Sequence, residues 1–401
     1  VYKRQTRYHN FQHILSSTKI LILLITIISF SLIFSACGQF EGPQGWAGGT
    51  TDENNLYITS QEGSLYAIDQ IDQTVQWEIH LRGEKGENTV YGTPTLFESN
   101  LYFGGYDGTF YSVETISGLI TWDYTFDSPI ITSPAVNNTF VVVGTSDNNL
   151  HVIDNDLSPG KPLCSYSTTN QIWASPVIYQ QLAIIGSMDH ILRAINLEDC
   201  ELVWEFATQG AIVASPILSQ DTVMFGSLDR SFYGLNADTG KIRWRFDESF
   251  GWFIGEPATD GKTVYAPSMD GKLYALDVLT GTKKWSLDTN DAIVSSPVLI
   301  NNLLAVASVE GKVHIVSSNN GQEQGICNLG EEIRSDLSTF KNHVYVKTEA
   351  HSIIALQIKE NGNPDEIWIY LTNEDDPIPR DHIPACLDEV KILDFLIDIW
   401  N

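Results

Sequence analysis

Basic residues are scarce in this sequence. Its 401 residues include 23 Lys and Arg against 50 Asp and Glu, and the formal net charge at pH 7 is −27. A surface this acidic repels nucleic-acid phosphates and anionic lipid headgroups. No basic amphipathic segment offsets the imbalance. The composition therefore excludes nucleic-acid partners and direct docking on a membrane surface.

Residues that carry enzyme chemistry are also sparse. The five cysteines include no adjacent pair, and the histidines after residue 36 show no metal-ligand spacing such as His-x-x-x-His. No glycine-rich phosphate loop follows a predicted strand. We therefore predict that the protein is not an enzyme and has no catalytic residue, metal site or cofactor.

Long apolar runs are absent except for Ile20–Phe34, which follows four basic residues and precedes the first acid, Glu41. This run is shorter than the ~20 residues that a membrane-spanning helix needs. Residues 1–36 are therefore predicted to be a secretory signal peptide. The run ends Phe34-Ser-Ala-Cys37-Gly, which resembles a lipobox with Phe34 in place of the usual Leu. We expect lipidation of Cys37, a short linker at 37–45, and an extracytoplasmic protein held at the membrane by its lipid.

An internal repeat of about 40 residues covers most of the chain. In its clearest copy, Ala275 begins the pattern Ala-x-Asp-x-x-Thr-Gly-x-x-x-Trp, which ends at Trp285. Short alternating apolar segments separated by Asp-Gly and Asn-Asn turns predict four strands per repeat. Eight such units predict an all-β, eight-bladed β-propeller at 46–370, followed by an acidic tail at 371–401 packed on the ring. The eight repeats begin their patterns at Ala67, Ser112, Val152, Ala194, Gly234, Ala275, Ile315 and Ala355.

These repeats resemble those of the quinoprotein alcohol dehydrogenase-like superfamily, which has PQQ-like repeats. With the lipobox, the chain is most similar to the BamB family of lipoproteins of the outer-membrane β-barrel assembly machinery. In such propellers the repeat tryptophan docks between blades, against a glycine of the next repeat. The resemblance assigns this structural role to Trp77, Trp122, Trp204, Trp244, Trp285 and Trp368.

The same resemblance implies a pairing for the cysteines. Cys164 occupies the tryptophan position of the third repeat, and Cys200 occupies the glycine position of the fourth. Because the family's contact joins these two positions, we expect a Cys164–Cys200 disulfide in place of the indole. A second bridge, Cys327–Cys386, would pin the tail near blade 7. Buried free thiols are the alternative for all four cysteines.

Two surface features are candidate binding sites. Phe250, Trp252 and Phe253 lie in one inter-blade loop with acidic neighbours, as in an interface, but they could equally pack into the channel mouth. The turns between second and third strands carry acids that would bind cations or a basic partner, although tight turns also favour such residues. These acids are Glu62, Asp107, Asp147, Asp189, Asp229, Asp270 and Glu310.

The leading functional hypothesis is a monomeric propeller that acts as a scaffold for other envelope proteins, with a BamB-like role in outer-membrane protein assembly. The alternative is a quinoprotein-like oxidoreductase or a small-ligand sensor that uses the central channel. The dehydrogenases of the superfamily use an adjacent Cys-Cys pair, a calcium site and long insertions between blades. This sequence lacks the Cys pair and has nearly uniform repeat spacing, which favours the scaffold. A surface protein of an organism without an outer membrane is a third hypothesis.

Overall fold

A computed structural model describes residues 47–60, 63–81, 89–155, 161–349, 352–371 and Cys386, with the side chains of 366–371 left aside. Within these ranges the chain forms 32 strands in eight four-stranded antiparallel sheets, as the repeat predicts. The described ranges contain no helix of the length and apolarity needed to cross a membrane. The predicted signal peptide, Cys37, Glu62 and nearly all of the tail lie outside the described residues.

Each blade is built from four consecutive strands, and its strand order is its sequence order. Blades 1 to 4 comprise β1 (Thr50–Thr51), β2 (Asn55–Thr59), β3 (Ser64–Asp69), β4 (Val75–His80); β5 (Thr95–Phe97), β6 (Asn100–Gly104), β7 (Thr109–Glu114), β8 (Ile120–Thr125); β9 (Ala135–Val136), β10 (Phe140–Gly144), β11 (Asn149–Asp154), β12 (Pro162–Ser167); β13 (Val177–Tyr179), β14 (Leu182–Gly186), β15 (Ile191–Asn196) and β16 (Leu202–Ala207). Blades 5 to 8 comprise β17 (Ile217–Ser219), β18 (Thr222–Gly226), β19 (Phe232–Asn236), β20 (Ile242–Phe246); β21 (Ala258–Thr259), β22 (Thr263–Pro267), β23 (Lys272–Asp277), β24 (Lys283–Asp288); β25 (Val298–Ile300), β26 (Leu303–Ala307), β27 (Lys312–Ser317), β28 (Glu323–Asn328); β29 (Ser338–Phe340), β30 (His343–Lys347), β31 (Ser352–Ile358) and β32 (Pro364–Leu371).

The burial of the strands explains their sequences. The second strand of a blade is covered on both faces, so β10 is a continuous apolar run with three consecutive valines. The fourth strand lies at the rim, and in β16 exposed positions surround the buried Trp204. Trp204 pairs across the sheet with the repeat residue Ala194, and a β-bulge follows immediately. The same bulge follows the corresponding residue in every blade.

The first strands of successive blades contact one another around a central channel, and β29 of blade 8 contacts β1 of blade 1. Within the described ranges no strand is exchanged to close this ring, because β1 to β4 form one sheet and β29 to β32 another. Polar contacts join the two blades instead. The Tyr345 hydroxyl donates to Gln70 Oε1 at 2.6 Å, and the Thr51 hydroxyl donates to the Thr339 carbonyl at 3.1 Å.

Tryptophan docking joins neighbouring blades as the resemblance predicts. Trp244 is 7% exposed, and its indole N–H donates to the Val278 carbonyl of the next blade at 2.9 Å. Gly281 of that blade has φ +68°, and a Cβ there would lie 2.5 Å from the indole. A residue without Cβ is therefore required for both backbone conformation and contact. Trp77, Trp204 and Trp285 make equivalent indole bonds.

The remaining two tryptophans of the predicted set are less informative. Trp122 stacks on Phe110 within its own blade, with ring centroids 5.6 Å apart, and its expected glycine partner, Gly160, lies outside the described residues. Trp368 pairs with Ala355 in the register of β31 and β32, but its side chain is not described.

Two disulfides are present. Cys164 and Cys200 join blades 3 and 4 with Cα atoms 5.8 Å apart, and Cys200 has the positive φ, 57°, that glycine adopts elsewhere. Cys327 of β28 is bonded to Cys386, with Cα atoms 4.3 Å apart. Cys386 packs against the apolar core shared by blades 7 and 8, so at least this point of the tail lies on the propeller.

Candidate functional site

One face of the ring carries both the loops between blades and the turns between second and third strands. Hydrogen bonds join the two elements in three consecutive blades, where a loop N–H donates to a turn carboxylate. These bonds are Thr169 to Asp189 at 3.1 Å, Gln209 to Asp229 at 3.1 Å and Phe250 to Asp270 at 3.0 Å. We call this surface the loop face.

The turn acids serve mainly to hold this face together. Burial alone would raise the pKa of Asp270, but hydrogen bonds from the Tyr274 hydroxyl, the Phe250 N–H and two serines hold the pKa below its usual value. Asp107 and Asp147 likewise accept bonds from their own turns, and Glu310 lies 3.5 Å from Lys312. Among the residues described, no His, Cys, Asp or Glu group has the geometry of a metal site. These contacts favour the turn role over a cation-binding role.

The loop at 248–256, which we call the aromatic loop, divides its three aromatic side chains. Phe250 is 81% exposed and Trp252 is 49% exposed, whereas Phe253 is fully buried. Phe253 packs against Phe232 and Tyr274, with centroid distances of 5.3 and 6.1 Å. The expectation of three partner-binding aromatics is therefore wrong for Phe253, which belongs to the core between blades 5 and 6.

The backbone of the aromatic loop is tightly held. A Cβ on Gly251 would lie 2.2 Å from the Asp270 N atom, so only glycine fits between the two exposed rings. The Met269 N–H donates to the Trp252 carbonyl at 2.9 Å, and Met269 is itself 36% exposed. The loop face thus presents Phe250, Trp252 and Met269 together on a rigid support.

The central channel contains a second candidate site that the sequence analysis missed. A cavity of ≈ 170 Å³ opens here. In most repeats a Pro comes just before the first strand of the blade. The residue that precedes this Pro lines the cavity in several blades, and so does the equivalent residue of blade 8. We call the full set of equivalent positions the channel ring: Gly48, Thr93, Ser133, Ser175, Ser215, Glu256, Ser296 and Asp336.

Hydrogen bonds run around the channel ring from blade to blade. The N–H of one member donates to the side-chain oxygen of the next. These bonds are Gly48 to Thr93 at 3.0 Å, Ser133 to Ser175 at 2.9 Å, Ser175 to Ser215 at 3.1 Å and Ser296 to Asp336 at 3.0 Å. Asp336 therefore takes the place of a hydroxyl, and its Oδ1 also accepts from the Ser296 hydroxyl at 2.5 Å.

Glu256 takes no part in these hydrogen bonds, and its side chain is longer by one methylene than that of Asp336. In the part of the chain that the structure describes, no group donates a hydrogen bond to its carboxyl. Burial, together with the negative charge of Asp336, raises the pKa of Glu256 to about 8. Burial also raises the pKa of Asp336 despite its hydrogen bonds from Ser296 and Thr93. The two carboxyls belong to blades 6 and 8 and line the same cavity.

The wall of the cavity also contains aliphatic and aromatic side chains, although its exposed surface is mainly polar. Two residues before seven of the eight channel-ring positions, the repeat places Tyr91, Ile131, Trp173, Val213, Ile254, Val294 and Arg334. Arg334 is engaged elsewhere, because its guanidinium lies 2.7 Å from Glu349 and 3.1 Å from Glu332. Most repeats have Ser or Thr at the channel-ring position, whereas two repeats have the acids Glu256 and Asp336. This difference is visible in the sequence and could have revealed the site.

The ring of eight contiguous blades with docked indoles defines a PQQ-like propeller. The sequence profile of the family described as outer membrane protein assembly factor BamB matches residues 62–211 and 187–340. The chain belongs to this family. No curated protein matches the sequence.

Many solved structures share the fold, and two of them serve as examples. The crystal structure of BamB from Moraxella catarrhalis has a TM-score of 0.64 and 18% identity, and the match covers 75% of this chain and 93% of that one. The computationally designed Ika8 protein has a TM-score of 0.68 and 17% identity, and the match covers 82% of this chain and 97% of that one. At these identities the likeness concerns the fold alone.

Proposed function

We propose that this protein is a non-catalytic envelope lipoprotein whose loop face binds proteins that assemble the outer membrane. Membership of the BamB family supports the assembly role. The predicted signal peptide and lipidation of Cys37 support an extracytoplasmic location at the membrane, with the lipid as the only membrane contact. The propeller would act as a monomer, since its eight blades close the ring within one chain.

The exposed aromatic loop is the observation that carries this proposal. Phe250 and Trp252 offer large apolar area to solvent, while Gly251 and Asp270 fix the backbone between them. Binding loses little conformational entropy when the contact residues are already ordered. Aromatic anchors inside a polar rim are also the common composition of interface hot spots, and Glu248 with Lys283 supplies such a rim here.

The test compares two pairs of exposed apolar residues on opposite faces. The first variant is Phe250→Ala with Trp252→Ala. The control is Ile71→Ala with Ile116→Ala, which removes side chains 89% and 84% exposed from turns between third and fourth strands. Partner capture is measured by photo-crosslinking in the native host from a probe at position 269, next to Trp252. Outer-membrane barrel proteins are quantified in parallel.

We expect the loop-face variant to lower crosslinking to the assembly machinery by about tenfold or more and to reduce barrel-protein levels. The control should leave both unchanged. Equal crosslinking and equal barrel levels in the two variants would exclude the aromatic loop as the binding surface.

The lipid anchor is tested separately. The intact mass of protein extracted from membranes should correspond to a chain beginning at a lipidated Cys37. Cys37→Ser should move the protein to the soluble fraction. A mass that retains residues 1–36 contradicts the anchor without affecting the proposal for the loop face.

A further inference from the structure

We propose that the central channel is a binding site for a primary ammonium group, held by Glu256 and Asp336 beside the aliphatic side chains of the cavity wall. The site lies apart from the exposed rings of Phe250 and Trp252, although Glu256 ends the same loop, and the proposal does not depend on the assembly role. The ammonium could belong to a free amine or to a lysine side chain of a protein partner, and the chemistry of recognition is the same in both cases.

The distribution of hydrogen-bond donors points to this ligand. Around the channel ring the hydroxyl oxygens of Thr93, Ser175 and Ser215 already accept hydrogen bonds from backbone N–H groups of neighbouring blades. The carboxyl of Glu256 has none among the described residues, and Asp336 Oδ2 has only the Thr93 hydroxyl at 3.5 Å. An ammonium carries three N–H donors and no acceptor, so it can donate to Glu256 and supply positive charge to the cavity that Asp336 also lines.

The charge inside the cavity points the same way. Two carboxyls line one half-open cavity, and the basic side chain in its wall, Arg334, is paired with Glu332 and Glu349. Tyr91 stays neutral, since burial raises its pKa to about 12. Without a cation, the pair avoids repulsion by keeping Glu256 protonated. A bound cation would replace that proton and supply the missing countercharge.

The aliphatic side chains in the cavity wall indicate which group should be attached to the ammonium. Ile254 and Val294 come two residues before Glu256 and Ser296, and so lie nearer the loop face than the carboxyls do. An alkyl chain leaving the ammonium towards the loop face would therefore contact aliphatic groups. Trp173, on the wall and 49% exposed, offers an aromatic face to a cation at the entrance. A linear alkylammonium fits this order of groups better than a compact inorganic cation, which would make no contact with the aliphatic side chains.

The experiment titrates the purified full chain with n-butylammonium by calorimetry at pH 8.5. Two probes of similar shape serve as ligand controls: 1-butanol lacks the charge, and N,N,N-trimethylbutylammonium lacks the N–H donors. We expect n-butylammonium to bind, and the two analogues to bind at least about tenfold more weakly. Equal affinity for all three ligands, or no binding of n-butylammonium, overturns the proposal.

Glu256→Gln tests the assigned group with a nearly isosteric change, and Glu198→Gln removes the same charge from an exposed turn. The first variant should weaken n-butylammonium binding by about tenfold, and the second should leave it unchanged. Should Glu256→Gln fail to fold, the wild-type protein supplies an independent readout. Binding at pH 7 should release a proton, because Glu256 is protonated when free, and the release should disappear near pH 9.5. Binding without this pH-dependent release contradicts the role of Glu256.

A second arm distinguishes the sources of the ammonium. A peptide with one central lysine is compared with the same peptide carrying norleucine. Tighter binding of the lysine peptide than of n-butylammonium indicates a protein partner that inserts a side chain. Binding of n-butylammonium and spermidine without the peptide indicates a free amine.

Discussion

Cys164 and Cys200 join blades 3 and 4 at the place where Trp244 and Gly281 join blades 5 and 6. Cys164 pairs with Val152 across the sheet, as Trp244 pairs with Gly234. Cys200 has a φ of 57° where Gly281 has 68°. A covalent bond thus replaces the packing of an indole at one of the blade junctions.

Loss of this disulfide should destabilise the propeller. Cys164→Ala with Cys200→Ala removes a crosslink between residues 36 apart, which is expected to lower the free energy of unfolding by about 3–4 kcal/mol. Replacing the pair by Cys164→Trp and Cys200→Gly should recover part of the loss, because it restores the junction of other blades. Guanidinium denaturation of the three proteins measures both effects. A double alanine variant as stable as wild type would show that the bond contributes little.

The docking glycines can be tested with a matched control. Gly281→Ala places a Cβ 2.5 Å from the Trp244 indole and also strains a positive φ, so we expect a loss of about 2–4 kcal/mol. Gly261→Ala meets the same type of strain at φ +87° but has open space around it, and should cost about 1 kcal/mol. Thermal and chemical unfolding measure the loss of unfolding free energy in each variant. The difference between the two losses gives the contribution of the steric contact with the indole. Equal losses would contradict the steric role of the indole.

Neighbouring aromatics of the aromatic loop should behave in opposite ways. Phe253→Ala empties a fully buried site and should destabilise the protein by about 3–5 kcal/mol. Phe250→Ala removes an exposed ring and should change stability by less than about 0.5 kcal/mol, while weakening partner capture. Denaturation curves and the crosslinking assay, applied to both variants, separate packing from binding. A large loss of stability in Phe250→Ala would place that ring in the core.

Two buried groups should give opposite pH dependences of stability. The raised pKa of Glu256, about 8, means that the folded protein holds its proton between pH 4.5 and 8, so stability falls as pH rises through this window. Burial lowers the pKa of Lys347 to about 7, so the unfolded chain binds more protons between pH 7 and 10.5, and stability rises there. Relative to wild type, Glu256→Gln should gain ~1 kcal/mol or more at pH 9 over pH 4.5. Lys347→Met should gain most below pH 7. Urea denaturation at each pH gives these differences, and parallel shifts at all pH values would contradict the assignment.

The fold could be predicted because its determinants are local and recur. The spacing from Asp277 to Gly281 and Trp285 specifies a turn, a left-handed residue and a docking ring within nine positions, and neighbouring repeats show the same order. The repeat register placed Cys164 and Cys200 at the tryptophan and glycine positions, and the family's docking contact implied that these two positions meet. Such patterns survive the sequence divergence of individual blades, because each blade must fit its neighbours.

The candidate sites could not be predicted in the same way. Phe250 and Phe253 are equally apolar, but Phe250 is exposed and Phe253 is buried. The difference arises because the Phe253 Cβ packs against Gly226 of the previous blade, which has no side chain there. Glu256 and Asp336 stand 80 positions apart in the sequence and share a cavity only after the ring has closed. Their importance lies in what surrounds them, and a repeat pattern does not contain that information.

The absence of strand exchange at the junction of blades 8 and 1 has an evolutionary consequence. Because every blade is one uninterrupted segment of about 40 residues, duplication or deletion of a single genetic unit adds or removes a whole blade and cuts no other. A propeller closed by a composite blade would have to preserve two half-blades at distant points of its gene. Here blade number can change by simple unequal recombination, and selection then needs only to adjust the polar contacts around Tyr345 and Gln70 for a ring of the new circumference.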